Sequence, residues 1–224
     1  MLLLAIDTAT SAVTVALHDG ERALAESTTL NVRGHGELLA PAIAEVLERS
    51  GRVTTEVTEV CCGVGPGPFT GLRVGIVTAR VFGLARAIPV RGVCSLDALA
   101  HAASRSEEPP PSPFLVATDA RRKEVYWAEY DVTPVGVERR DDPAVTRPGD
   151  LPQWVRERSC VGRGPVLYPE AFGAHLPPLD VSAAALAELA VQRMRSGGEL
   201  LEPEPLYLRR PDAQPVSKTS AASS

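Results

Sequence analysis

The chain opens on an unbroken apolar run, LLLAI, then a polar turn beginning at Asp7, then an alternation, Val13-x-Val15-x-Leu17. A buried strand, a turn and a second strand account for that pattern. The pattern returns in the second half. LLLAIDTATSAVTVALHDG (2–20) and FLVATDARRKEVYWAEYDV (114–132) align without a gap at an offset of 112. Leu3/Leu115, Ala5/Ala117, Asp7/Asp119, Val13/Val125, Ala16/Ala128 and Asp19/Asp131 are identical. A second echo follows in the same order: GVGP (63–66) and GRGP (162–165), each closing a short strand. Any two hairpins share some of this, but two echoes in one order favour a duplicated unit.

Helical spacing fills the intervals. Leu39, Ile43, Val46 and Leu47 fall at i, i+4, i+7 and i+8, predicting a helix over 36–49. Glu37 in its first turn and Arg49 in its last suit the helix dipole, and Gly51 stands just past the end. Pro41 is tolerated early, where amides have no intrahelical partner. A second helix is predicted over 70–86, before Pro89, and others over 151–158 and 181–198. Each half then runs hairpin, third strand, helix, strand, helix, the order of a ribonuclease-H-like lobe. Two such lobes make the α/β architecture of actin and the sugar kinases (ASKHA). The proline-rich 106–113, SEEPPPSP, bars regular structure and divides a lobe at 1–105 from one at 114–213. Residues 214–224 have little apolar content and read as a disordered tail.

Composition narrows the function. Hydrophobic content of 44% with 23% charged residues describes an ordinary globular chain. No apolar run approaches the roughly 18 residues of a membrane span. A net charge of −5 and 4% aromatics give little reason to bind nucleic acid unaided. Cys61, Cys62, Cys94 and Cys160 lack CxxC spacing and sit in strand-like runs, as reduced core residues of a cytoplasmic protein would.

The densest signal is GVGPGPFTGLRVG (63–75). It is no Walker A loop, because no lysine occurs before Lys123. Nor is it G-x-G-x-x-G, since Gly71 comes one residue late after Gly65 and Gly67. A tight turn entering a helix fits. On that helix Val74, Val77, Val81 and Leu84 are expected as a core stripe, beside Gly71, Gly75, Ala79 and Gly83 spaced by four. Glycine costs about 1 kcal/mol against alanine in a helix interior, so the second stripe implies close approach of another backbone. That backbone is this lobe's own sheet, a protein partner, or a ligand at the helix start. The partner reading predicts that Gly75→Leu leaves the isolated chain stable and abolishes association.

Several stretches together resemble the TsaB (YeaZ) family: LLAIDTAT, HGELLAPAI, GPGPFTGLRVG, SLDALA (95–100), DARRKEVYWAEY (119–130) and PLYLRR (205–210). Pro68 replaces the serine usual in GPGSFTGLRxG. The resemblance spans nearly the whole chain. It implies two ribonuclease-H-like lobes and a non-catalytic subunit of the machinery making threonylcarbamoyladenosine beside the tRNA anticodon. It also implies a TsaD-type catalytic paralogue and a TsaE-type ATPase as partners, tRNA reached only through the complex, and self-association as a dimer. The expected docking face is helices 36–49 and 70–86, carried by His35, Glu37, Leu38, Leu39, Ile43, Gly71, Arg73, Gly75, Ala79 and Gly83.

Three rivals have their own residues. A glycoprotease-like metallopeptidase needs about three ligands, commonly a paired histidine motif. His18, His35, His101 and His175 are widely spaced, and His35-x-Glu37 reads better as a helix start. An ATP-binding enzyme of the actin and sugar-kinase type would use Asp7, Thr8, Thr10, Gly65, Gly67 and Asp119. Neither turn after Asp7 or Asp119 has the expected glycine, so these read as a vestigial nucleotide site. No cofactor and no metal is assigned to this chain, and contact with ATP or ADP is expected only in the complex. A direct tRNA-binding module would rest on Arg121, Arg122 and Lys123 and on Arg209-Arg210, two clusters far apart in sequence.

Overall fold

A computed structural model describes residues 1–30 and 35–209. The tail expected over 214–224 lies outside the described residues, as does Arg210. The chain forms two sheets. In the first, β1 (Leu3–Asp7), β2 (Ala12–His18) and β3 (Ala23–Leu30) run antiparallel, while β4 (Glu59–Gly63) and β5 (Val90–Val93) lie parallel to β1. The second has β6 (Phe114–Asp119), β7 (Val125–Thr133), β8 (Gly136–Arg139), β9 (Ala144–Thr146), β10 (Cys160–Val161) and β11 (His175–Leu176). The strand orders are β3-β2-β1-β4-β5 and β8-β7-β6-β10-β11, with β9 added on β7. Matched orders of this kind confirm the duplication in topology.

The gapless alignment holds in β1 and β6 and then slips. Asp7 pairs with Thr14 but Asp119 with Val125, so the second hairpin tip is one residue shorter. Ala5 faces Ala16 while Ala117 faces Trp127. The identities Val13/Val125, Ala16/Ala128 and Asp19/Asp131 are therefore not structural equivalents. Both faces of β2 are buried, which is why a shift of one residue is tolerable there.

Among the described residues five helices complete the fold: α1 (His35–Ser50), α2 (Phe69–Arg86), α3 (Ser95–Ser104), the single turn α4 (Gly164–Leu167) and α5 (Ala183–Arg195). Gly51 closes α1 with φ +65°, as its position past the last turn predicts. Residues 151–158 form no α-helix. Gln153–Glu157 is a 3₁₀ turn between Pro152 and Arg158, and Val155 is its buried residue. Alternation along β1 builds two cores at once. Leu4 and Ile6 meet Leu39, Val46, Leu72 and Ile76 under α1 and α2. Leu3 and Ala5 join Leu99, Phe114, Val116 and Leu186 around α3 and α5, which lie between the sheets. Helix α5 thus covers the first sheet although it belongs to the second half of the sequence. Asp97 of α3 ties the layers: Tyr130 Oη (2.9 Å) and Arg139 Nη1 (2.5 Å) donate to one oxygen, Arg193 Nη2 (2.8 Å) to the other. Residues 106–113 join α3 to β6 without helix or strand. After α5 the chain returns to the first sheet. Leu201 exchanges backbone hydrogen bonds with Gly92, and Leu206 N–H donates to the Val64 carbonyl (2.8 Å).

Candidate functional site

The residues expected as a nucleotide site form an internal joint. Asp7 is fully buried; one oxygen accepts from the Ala9 N–H (2.8 Å), the other from Ser95 Oγ (2.6 Å). Burial pushes its carboxyl up to about 6, against those hydrogen bonds. A Cβ at Gly63 would sit 1.7 Å from the Asp7 carboxylate, so glycine is required there. Gly65 (φ +91°) donates to Ser95 Oγ (3.1 Å) and returns its carbonyl to the Ser95 N–H (2.8 Å). Gly67 lies so near Ala9 that a Cβ would come 2.6 Å from the Ala9 carbonyl. The glycine-rich loop is therefore a close-packed seam between β1, α2 and α3.

Thr8 carries the seam into α2. Its hydroxyl donates to the Gly71 carbonyl (2.7 Å) and accepts the Gly75 N–H (3.0 Å), bridging one helical turn. A Cβ on Gly75 would lie 2.3 Å from that hydroxyl, and one on Gly83 would lie 2.1 Å from Val90 Cγ2. Gly71, Gly75, Ala79 and Gly83 are all buried within this chain. This corrects the partner reading of the stripe: the surface it approaches is the chain's own. Leu39 is likewise a core residue. Leu38 and Ile43 are half-buried against the same core, while Glu37 and Arg73 are exposed. His35 begins α1; its side chain lies outside the described residues.

The expected core stripe is corrected in the opposite direction. Val77, Val81 and Leu84 are 56%, 60% and 84% exposed, and Val74 is only half-buried. Both stripes repeat at helical spacing, so periodicity could not rank them. The sheet selects the narrow glycine face because it lets the helix sit closer. Val77, Val81, Leu84, Ala87, Ile88 and Pro203 line a groove of about 720 Å³ along this helix. At its N-terminal end Arg73 lies 3.8 Å over the Phe69 ring, and its Nε donates to Tyr207 Oη (2.6 Å). Tyr207 stacks on Phe69 at 5.4 Å. Sequence reasoning named Arg73 but missed its meeting with Phe69 and Tyr207, although GPGPFTGLRVG and PLYLRR both carried a signal.

The second hairpin tip is built differently. Asp119 accepts the Arg121 N–H (2.7 Å), as Asp7 accepts that of Ala9, but its other oxygen pairs with the Arg121 guanidinium (3.0 Å). Arg121, Arg122 and Lys123 have φ of +60°, +54° and +61°. Three consecutive left-handed non-glycine residues each cost roughly 1–2 kcal/mol. Thr10, Ser11, Asp119, Arg121, Arg163 and Asp180 meet between the two tips, where Arg163 Nη2 binds Asp180 at 2.6 Å. The space left is about 10 Å³, room for about one water. Thr10 and Asp119 are thus brought together, while Asp7, Thr8, Gly65 and Gly67 are taken up by the seam. The four cysteines are buried free thiols, and burial pushes Cys62 and Cys94 up to about 12. Among the described residues no group of three His, Cys, Asp or Glu side chains is arranged to hold a metal, and no helix is long and apolar enough to cross a membrane.

Two duplicated sheets enclosing paired helices, with the hairpin tips meeting at a cleft, define the ribonuclease-H-like, actin and sugar-kinase architecture. A 2-hydroxyisocaproyl-CoA dehydratase activator from Clostridium difficile shares the fold alone, at TM-score 0.50 and 10% identity over 89% of this chain and 98% of that one. YeaZ from Pseudomonas aeruginosa is much nearer, with TM-score 0.79 and 31% identity over 92% of this chain and 99% of that one. The Escherichia coli tRNA threonylcarbamoyladenosine biosynthesis protein TsaB is 33% identical over 93% of this chain and 95% of its own length. The family model described as TsaD: tRNA N6-adenosine threonylcarbamoyltransferase matches residues 24–153. The chain belongs to the TsaB (YeaZ) family. An uncharacterized Mycobacterium leprae protein is 40% identical over 96% of this chain, which spans 57% of that relative's length.

Proposed function

We propose that the chain is a non-catalytic subunit in tRNA threonylcarbamoyladenosine biosynthesis, docking a TsaD-type catalytic paralogue and working with a TsaE-type ATPase. The observation that carries this reading is the inversion on α2, which buries its glycines and leaves Val77, Val81 and Leu84 in solvent. An apolar stripe lining an exposed groove calls for a cover. The TsaD family model spans α1 and α2, so a TsaD-type chain carries counterparts of these helices. Pairing equivalent helices makes a small four-helix bundle. A second copy of this chain would use the same face, so self-association and partner binding compete.

The chain itself contributes no catalytic group in this reading, because Asp7 spends both carboxylate oxygens inside the seam. Contact with ATP or ADP, and with tRNA, belongs to the assembled complex. The test is Val81→Asp with Leu84→Asp. Both positions are exposed, so melting should change by less than about 0.5 kcal/mol. Association with the TsaD-type partner should weaken over a hundredfold, the equivalent of about 3 kcal/mol. Undiminished co-purification of the double variant sinks this docking face.

A further inference from the structure

We propose that Arg73 and Arg80 are the charges by which the α2 face selects its occupant: a partner helix bearing carboxylates two turns apart, in preference to a second copy of this chain. The inference rests on the docking role proposed above for that face and adds what decides between its two competing occupants. Arg73, Val77, Arg80, Val81 and Leu84 follow one another at i, i+4, i+7, i+8 and i+11, and all are exposed. The two arginines therefore stand on the apolar stripe, about 10 Å apart along the helix axis. Arg80 itself lines the groove. Helix α2 holds a third arginine, Arg86, and no Asp or Glu. Arg86 is used within the chain, where its Nη2 donates to the Thr55 carbonyl (3.0 Å). Arg73 and Arg80 are not neutralised: among the described residues neither forms an ion pair. Glu202 and Glu204 flank Pro203 beside the groove, yet neither comes within ion-pairing distance of these arginines.

Arg73 is also held ready for a contact. Its guanidinium lies 3.8 Å over the Phe69 ring and its Nε donates to Tyr207 Oη (2.6 Å), both uncharged partners. That fixes the side chain while Nη1 and Nη2 make no hydrogen bond among the described residues. Such a pair of donors is what a carboxylate takes as a fork, and a side chain already ordered loses little freedom on docking. The valines and leucine do not distinguish the two occupants, since they pack against either. The charges do. An isologous pairing of α2 on α2 centred on Val77 sets position 73 of one copy against position 81 of the other, and so brings Arg73 beside the second copy's Arg80, twice over. Like charges there repel. The acids of the docking helices, Glu37, Glu45 and Glu48, are all on α1, so α2 meets no acid across that axis. A TsaD-type helix with carboxylates at those places gains two charge-assisted contacts instead.

The experiment follows association of the full chain with the TsaD-type partner, and with itself, across a salt series. Arg73→Glu with Arg80→Glu is compared with Val81→Asp with Leu84→Asp. In the arginine variant, partner affinity should fall at least about tenfold and should no longer weaken as salt is added. Self-association should hold or tighten. Arg80→Glu alone breaks no bond within the chain; it should show the same split at about threefold, and it carries the test if the double variant melts early. Partner affinity and salt dependence unchanged in a folded arginine variant overturn the proposal; partner binding lost in the Val81, Leu84 variant then leaves the docking face standing. If neither double variant weakens partner binding, the face itself is wrong and both readings fall. Equal weakening of self-association also overturns the proposal, because the arginines would then serve both occupants.

Discussion

Asp7 and Asp119 end equivalent strands and make the same first hydrogen bond, to the amide two residues on. Beyond that bond the two lobes part. Asp7 turns its second oxygen inward to Ser95, and Thr8 beside it clasps a turn of α2. Asp119 turns its second oxygen to Arg121 at the surface. The outer faces differ likewise. The first sheet carries two long helices, α1 and α2. At the matching places the second sheet has a 3₁₀ turn and the single turn α4, with a small core of Val155, Ala171 and Phe172. One copy carries long helices with its tip sealed around them; the other has single turns there and a tip that is exposed and basic. In a duplicated fold, the half that retains more structure than its core needs is the half to search for a partner.

The sharpest way to break this comparison is Gly75→Leu. If the first tip is a sealed joint, the side chain overpacks it and displaces both Thr8 hydrogen bonds. The isolated chain should lose about 4 kcal/mol, summing overpacking and two lost bonds. Denaturant unfolding at unchanged baseline slope checks this, and normal stability would restore the partner reading of the stripe.

Ionisation of Asp7 should have the next largest effect. Its folded value is raised from 3.8 to about 6, so the protonated acid favours the folded state. That contribution is complete below about pH 4 and is lost as pH rises through about 6, a loss of about 3 kcal/mol at the usual 1.36 per unit. Unfolding free energy measured from pH 4 to 7 should show this fall, superimposed on other groups. Asp7→Asn should flatten that window, and an unchanged slope in the variant would mean the joint is wetter than its geometry implies.

The smallest effect belongs to the reduced outer face. Trp154 is 37% exposed and meets Trp127 edge-on at 6.0 Å. Trp154→Ala should cost about 1 kcal/mol, read as a modest drop in melting temperature. A loss as large as that of Gly75→Leu would show that the second lobe's outer core is as essential as the first's.

Much of the architecture was legible, for identifiable reasons. Repeated strand–turn–strand patterning exposed the duplication, because an apolar run broken at an Asp is local information. Helices 36–49 and 70–86 were legible from spacing and end signals to within a residue of His35–Ser50 and Phe69–Arg86. The helix over 151–158 was not, since the five residues between Pro152 and Arg158 carry too few apolar positions to separate a 3₁₀ turn from an α-helix. Of the site, the basic residues were visible but not their meeting, because Arg209 reaches Ala120 across 89 positions. The one-residue slip between β2 and β7 was invisible too: β2 is buried on both faces and reads well in either register.

By itself the sequence determined the elements, their order and their repetition, since each depends on neighbours within one turn or one strand. It also determined that some surface must approach α2 closely, because several glycines on one helical stripe have no other use. Which surface that is, only the tertiary structure decided. Two stripes of equal period compete for the sheet, and what chooses between them is distance. The glycine face fits against Thr8 and Val90 where a valine face would collide, so Val77, Val81 and Leu84 are turned out to water.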